Sequence, residues 1–191
     1  MSFTEYVRSD THTLMSTALL LTLFEQEYES VYRFIYFRVS HKETAEDLVS
    51  VIFEKAVKHI DRFSKQEGAT PRSWLFTIAR NTLIDHYRSQ KYIEPLDDHT
   101  DLTDESHDAL LSDIDTQIVM EKVFEVIPQL SPRGQELILL RFQADFSNKE
   151  ISQITGLHEK VVASGISKAI RRLQQLIIES KQQPSIEESL L

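Results

Sequence analysis

The chain has 191 residues and a formal net charge of -9, with a pI near 5.3, so it is long enough for one large or two small domains, each with its own core. It contains no cysteine, which excludes disulfides, thiolate metal sites and cysteine nucleophiles and suits a reducing compartment. The apolar run Ala18 to Phe24 is too short to span a bilayer and follows no basic leader, so a soluble cytoplasmic protein is expected.

The acidity is unevenly spread. Glu94, Asp97, Asp98, Asp101, Asp104, Glu105, Asp108, Asp113 and Asp115 lie together with no Lys or Arg among them. These nine carboxylates account for the whole net charge of -9, so the flanking halves are together near neutral. Neither half has the positive excess of a protein that grips duplex DNA alone. Any DNA binding is expected to be weak until another protein assists.

Residues 1–20 show little pattern and read as a loose lead-in. From Leu21 onward, Phe24, Tyr28, Val31, Ile35 and Val39 recur at steps of three and four, which predicts an amphipathic helix. Ser40 followed by Glu43 has the form of a capping box opening the next helix. That helix carries a wide stripe of Ala45, Leu48, Val49, Ile52, Phe53, Ala56, Val57, Ile60 and Phe63. Glu46, Asp47, Ser50, Glu54 and Asp61 fall off the stripe, and pattern alone makes them a solvated face.

A polar loop, Ser64 to Ala69, comes next and includes Lys65 and Gly68. Thr70 then suits an N-cap and Pro71 the first helical position, whose missing N–H had no intrahelical partner. The helix that follows places Leu75, Ile78, Ala79 and Thr82 toward a core. Arg72, Arg80, Asn81, Asp85 and Arg88 crowd its other faces, with Trp74 and Phe76 interleaved. Cations for phosphates, aromatics for stacking and an amide for base edges suit single-stranded nucleic acid. The same pattern also fits a helix whose aromatics are core and whose arginines are merely solvated. Three helices make a first domain over 21–90.

Residues 91–112 hold Pro95 and scattered aspartates and read as an acidic flexible linker. Helical spacing resumes over 113–178. Ile114, Ile118, Val119, Val123 and Ile127 form one helix ended by Pro128, and Ser131 with Pro132 caps another carrying Leu137, Ile138 and Phe142. Ser147 and Glu150 form a second capping box before Ile151 and Ile154, and Gly156 supplies a turn. Val161, Val162, Ile166, Ala169, Ile170 and Leu173 then define a longer helix bearing Lys168, Arg171 and Arg172. A short helix, a glycine turn and a longer basic helix make a helix-turn-helix pattern. Residues 179–191, with Pro184, read as a frayed tail.

There is no internal repeat and no glycine-rich phosphate loop. The histidines lack metal-ligand spacing. Asp85 and His86 are adjacent, so on a helix they point about 100° apart and do not make a ligand pair. No metal or cofactor is expected, and the fold class is all-α, two small helical domains joined by the acidic linker.

AEDLVSVIFEKAV (Ala45 to Val57) followed by PRSWLFTIARNTLIDHYR (Pro71 to Arg88) resembles, in order and spacing, sigma region 2 of the extracytoplasmic-function (ECF) group of bacterial RNA polymerase sigma factors. IPQLSPRGQELILLRF (Ile127 to Phe142) and FSNKEISQITGLHEKVVASGISKAIRRL (Phe146 to Leu173) resemble region 4. The resemblance implies a factor that binds core polymerase, melts and reads the −10 promoter element, docks at the −35 element and performs no covalent chemistry. Glu46, Asp47, Ser50 and Glu54 would meet the clamp helices of the largest polymerase subunit. Ser64, Lys65, Trp74, Arg80, Asn81, Asp85 and Arg88 would serve the −10 element, the loop and Asn81 holding a flipped base.

Region 4 would read the −35 element through Lys160, Ser164, Ser167, Lys168 and Arg171, and the acidic linker would thread the basic channels of the polymerase. The implied partners are the two largest core subunits, promoter DNA and an anti-sigma factor, often held at the membrane; no stable homo-oligomer is required. Two departures stand out. Ser50 and Val51 replace the usual Gln and Glu, and Val162-Ala163-Ser164-Gly165 replaces the usual Val-Lys-Ser-Arg, so weak −35 recognition is expected. A conventional helix-turn-helix regulator would instead bind its operator tightly without polymerase, and a sigma-like adaptor would ignore loss of Asn81.

Overall fold

The computed structural model describes residues 3–63, 70–90 and 126–182, with side chains at 16–61, 63, 70–90 and 126–179. Every regular element among them is helical, and the chain divides into two compact units. The expected linker 91–112, the helix expected from Ile114, and Ser64 and Lys65 lie outside the described residues.

The first unit packs three helices on one another: α1 (Phe3–Val39), α2 (Lys42–Phe63) and α3 (Pro71–Gln90). The helix expected to begin at Leu21 begins at Phe3. No Gly or Pro occurs before Gly68, so nothing in the first residues breaks a helix once it has formed. Val31, Phe34 and Ile35 of α1, Val49 and Ile52 of α2, and Leu75, Phe76 and Ala79 of α3 fill the core. Phe34 meets Phe76 edge to face, ring centroids 5.6 Å apart.

The box expected at Ser40 and Glu43 does not form. Ser40 adopts φ of 53° and donates its N–H to the Tyr36 carbonyl at 2.8 Å, so it closes α1 as a left-handed cap. An N-cap needs extended dihedrals, and that duty falls to His41, whose Nδ1 accepts the Thr44 N–H at 3.3 Å. At the start of α3 the expected cap is present. Thr70 Oγ1 accepts the Ser73 N–H at 3.1 Å, and Ser73 Oγ accepts the Thr70 N–H at 3.1 Å. Arg72 Nε donates to Glu27 Oε2 at 2.8 Å and so ties this first turn to α1. At the far end the Tyr87 hydroxyl donates to the Arg38 carbonyl at 2.5 Å, satisfying an orphan acceptor at the C-terminus of α1.

The second unit opens with a 3₁₀ turn, Ile127–Gln129, followed by α4 (Pro132–Ile138). Ser131 caps α4 by accepting the Gly134 N–H at 3.2 Å, with Pro132 in the first position. The chain then widens into a π turn, Leu139–Gln143, in which the Ala144 N–H reaches the Leu139 carbonyl at 2.9 Å. This places Leu137 to Leu140 all in the core and turns Phe142, expected on an apolar stripe, out to 43% exposure.

After Asp145, at φ of 49°, α5 (Asn148–Thr155) begins under the expected capping box. Ser147 Oγ accepts the Glu150 N–H at 3.3 Å, and Glu150 Oε2 accepts the Ser147 N–H at 2.9 Å. Gly156 at φ of 73° makes the turn, and α6 (Glu159–Gln182) follows. His158 Nδ1 accepts the Lys160 N–H at 3.3 Å at its start. Val162, Ile166, Ala169, Leu173 and Leu176 form the buried side of α6.

Candidate nucleic-acid and polymerase interfaces

On α2 the buried stripe of Ala45, Val49, Ile52 and Ala56 forces Glu46, Asp47, Ser50 and Glu54 outward, and all four are exposed. Each acid but one has a basic neighbour four residues away: Lys42 stands 3.8 Å from Glu46 and Lys58 2.5 Å from Glu54. The Lys58 hydrogen bond and charge hold the Glu54 carboxyl below its ordinary value.

Val57, expected in the apolar stripe, is 59% exposed in the middle of this charged face. Its position seven residues after Ser50 carried that signal. Next to it an aromatic ridge runs onto α1. Phe24 lies 5.2 Å from Tyr28 and 5.0 Å from Phe53, and Phe24 and Tyr28 are exposed. The face is therefore acidic with an apolar margin.

Asn81, Asp85 and Arg88 of α3 are exposed at helical spacing on one side, with Arg80 half-buried beside them. Trp74 and Phe76 are not on that side. Trp74 is 9% exposed with its ring 5.2 Å from Phe63, and Phe76 is fully buried. The aromatics expected to interleave with the cations are core, because α3 packs against both α1 and α2 and so buries more than one stripe. A basic residue that the sequence reading left aside joins this side from α2. Lys55 Nζ donates to Thr82 Oγ1 at 3.0 Å and lies 3.8 Å from Asp85 Oδ2.

On α6, Lys160, Ser164, Lys168 and Arg171 are exposed and Ser167 is half-buried, making one polar stripe opposite the buried one. The hydroxyls bond within the helix, Ser164 to the Val161 carbonyl at 3.2 Å and Ser167 to the Ala163 carbonyl at 3.1 Å. Both oxygens keep acceptor capacity. Ala163 shares the exposed side, but Gly165 does not serve it: a Cβ there would stand 2.5 Å from Leu137 Cδ1. The glycine stands against Leu137 of α4, so its place in the departing tetrad has a packing reason. Among the described residues no group of three or more His, Asp or Glu side chains could hold a metal ion. No helix among them is long and apolar enough to cross a membrane.

Two family profiles match the chain, Sigma-70 region 2 over residues 23–92 and Sigma-70, region 4 over residues 120–173. The ECF RNA polymerase sigma factor BldN of Streptomyces coelicolor is 32% identical over 160 residues, which cover 81% of this chain and 59% of that relative's length. The RNA polymerase sigma factor SigV of Bacillus subtilis is 28% identical over 82% of this chain and 90% of its own. Among solved structures, the sigma factor RpoE of Bartonella quintana, in complex with the anti-sigma factor NepR, superposes with a TM-score of 0.62. It is 26% identical, covering 82% of this chain and 94% of that one. The charged α2 face, the polar side of α3 and the helix-turn-helix stripe all fall within the matched regions, and the chain belongs to the sigma-70 family of RNA polymerase sigma factors, in its extracytoplasmic-function group.

Proposed function

We propose that this chain joins core RNA polymerase in the cytoplasm as its promoter-specificity subunit, without covalent chemistry of its own. The polymerase contact is made by Glu46, Asp47, Ser50 and Glu54 of α2, with the adjoining Val57 and Phe24–Phe53 ridge giving apolar area that a charged stripe alone lacks. Asn81, with Arg80, Asp85 and Arg88, reads and holds the opened −10 strand together with Ser64 and Lys65. Trp74 acts from beneath, as the core support of the helix start. Lys160, Ser164, Ser167, Lys168 and Arg171 dock region 4 at the −35 element. The working boundaries are 21–90 for region 2, 91–112 for the acidic linker and 113–178 for region 4.

An anti-sigma factor is a natural further partner, since RpoE of Bartonella quintana is solved with one. The observation that carries the reading is that the Sigma-70 region 2 and region 4 matches include an exposed charged face on α2, a polar side of α3 and a polar stripe on α6. Transcription from genomic DNA by core polymerase plus this chain tests it. Starts should share an upstream motif, Asn81→Ala should abolish initiation while leaving polymerase binding intact, and Asp47→Ala should weaken polymerase binding. Starts without a shared motif would end the proposal.

A further inference from the structure

One cation beside the polar side of α3 comes from a different helix. Lys55 stands on α2 at the seam with α3, its side chain 38% exposed, bonded to Thr82 Oγ1 at 3.0 Å and 3.8 Å from Asp85 Oδ2. Asp85 is one helical turn from Asn81 and three residues from Arg88, so a strand that meets the amide meets this carboxylate too. An unneutralised carboxylate at that place would repel phosphate. The Lys55–Asp85 contact is long and half-exposed, which makes it a weak contributor to folding. Thr82 takes only one of the ammonium's N–H donors, leaving others for a ligand.

We infer that Lys55 is a phosphate-binding residue of the −10 face, held in place by Thr82 and masked by Asp85 until a strand arrives. The incoming phosphate exchanges with the Asp85 carboxylate for the same ammonium. Strand binding is then opposed by one local ion pair, and Asp85, beside its place in the strand-holding set, tunes affinity through Lys55. This rests on the proposed use of α3 for single-stranded DNA, and the test separates the two ideas.

The full chain is titrated with a labelled single strand of randomised sequence, about a dozen nucleotides long, over a range of KCl concentrations. Lys55→Gln should flatten the slope of log affinity against log salt by about 0.7, the loss of one phosphate contact on a single strand. Lys55→Arg should restore it. Asp85→Asn should tighten binding about three- to fivefold at low salt by unmasking the ammonium. In the K55Q/D85N double variant that gain should largely vanish. Thermal melts check folding, and Lys55→Met, which keeps the packed stem, replaces the Gln variant if that one melts early. If Arg88→Gln flattens the slope and Lys55→Gln does not, Lys55 is no ligand and the inference falls while the α3 face stands. If both are silent, the proposed face itself is wrong.

Discussion

Gly165 of α6 stands against Leu137 of α4 so closely that a Cβ on the glycine would come within 2.5 Å of Leu137 Cδ1, and that methyl would have to shift to admit a side chain. Leu137 is 1% exposed, so its methyl is confined by its own packing and yields only at a cost. Gly134 brings the same helix pair together from the other side, where an added Cβ would already touch Ala169 Cβ at 3.6 Å.

Gly165→Ala should therefore destabilise region 4 even though alanine is the better helix former. Overpacking costs about 1–3 kcal/mol, against about 1 kcal/mol gained in helix propensity. Combining it with Leu137→Ala should cost less than the two single changes summed, since the new methyl enters the space vacated. Thermal melts of the three variants measure this coupling. Gly165→Arg should not improve −35 binding, because the position faces α4.

Trp74 lies against Phe63 in the region 2 core. Trp74→Ala should cost about 3–5 kcal/mol of region 2 stability. The native tryptophan should show blue-shifted emission and weak quenching by acrylamide, and single-stranded DNA should leave that emission largely unchanged. An emission maximum like that of free tryptophan would contradict the packing described.

The two kinds of helix start should respond differently to mutation. Ser147→Ala removes an oxygen that accepts the Glu150 N–H and should cost about 1 kcal/mol. His41→Asp should instead stabilise region 2 by a few tenths of a kcal/mol to about 1 kcal/mol, since a carboxylate both accepts the Thr44 N–H and faces the positive helix end. Chemical denaturation of each variant at pH 7 reads both effects.

Lys58 lowers the Glu54 carboxyl below its ordinary 4.5. A carboxyl depressed in the folded state favours folding above its unfolded value, and that contribution disappears as pH falls through the folded value. Lys58→Gln should move the Glu54 titration midpoint upward toward 4.5, as followed by carboxyl-carbon NMR, with little change in melting at neutral pH because the pair is exposed.

Much of this architecture was legible in the residues. Thr70 with Pro71, Ser131 with Pro132, and Ser147 with Glu150 each place a side-chain oxygen where a helix leaves N–H groups unpaired, and all three caps are present. The helix-turn-helix followed from Gly156 between two periodic stretches. Four features were hidden for physical reasons. Ser40 takes a left-handed conformation that the short link between α1 and α2 demands and that its own chemistry does not announce. The π turn adds a residue to the helical count, which rotated Phe142 off the stripe that regular spacing assigned it. Trp74, Leu75 and Phe76 are consecutive yet all buried, as happens when one helix lies against two others, and a single-face pattern then misassigns its aromatics. Lys55 was overlooked because its significance comes from α3, a helix whose placement only the fold provides.

The tryptophan wedged on Phe63 also makes the molecule optically one-sided. It is the sole tryptophan, and Tyr6, Tyr28, Tyr32, Tyr36, Tyr87 and Tyr92 are all the tyrosines there are. Everything that absorbs or emits near 280 nm thus precedes residue 93, and region 4 is spectroscopically dark in that window. Ultraviolet fluorescence will record the melting of region 2 alone, while far-ultraviolet dichroism sees both. Any gap between the two curves will show directly whether region 4 lives or dies on its own.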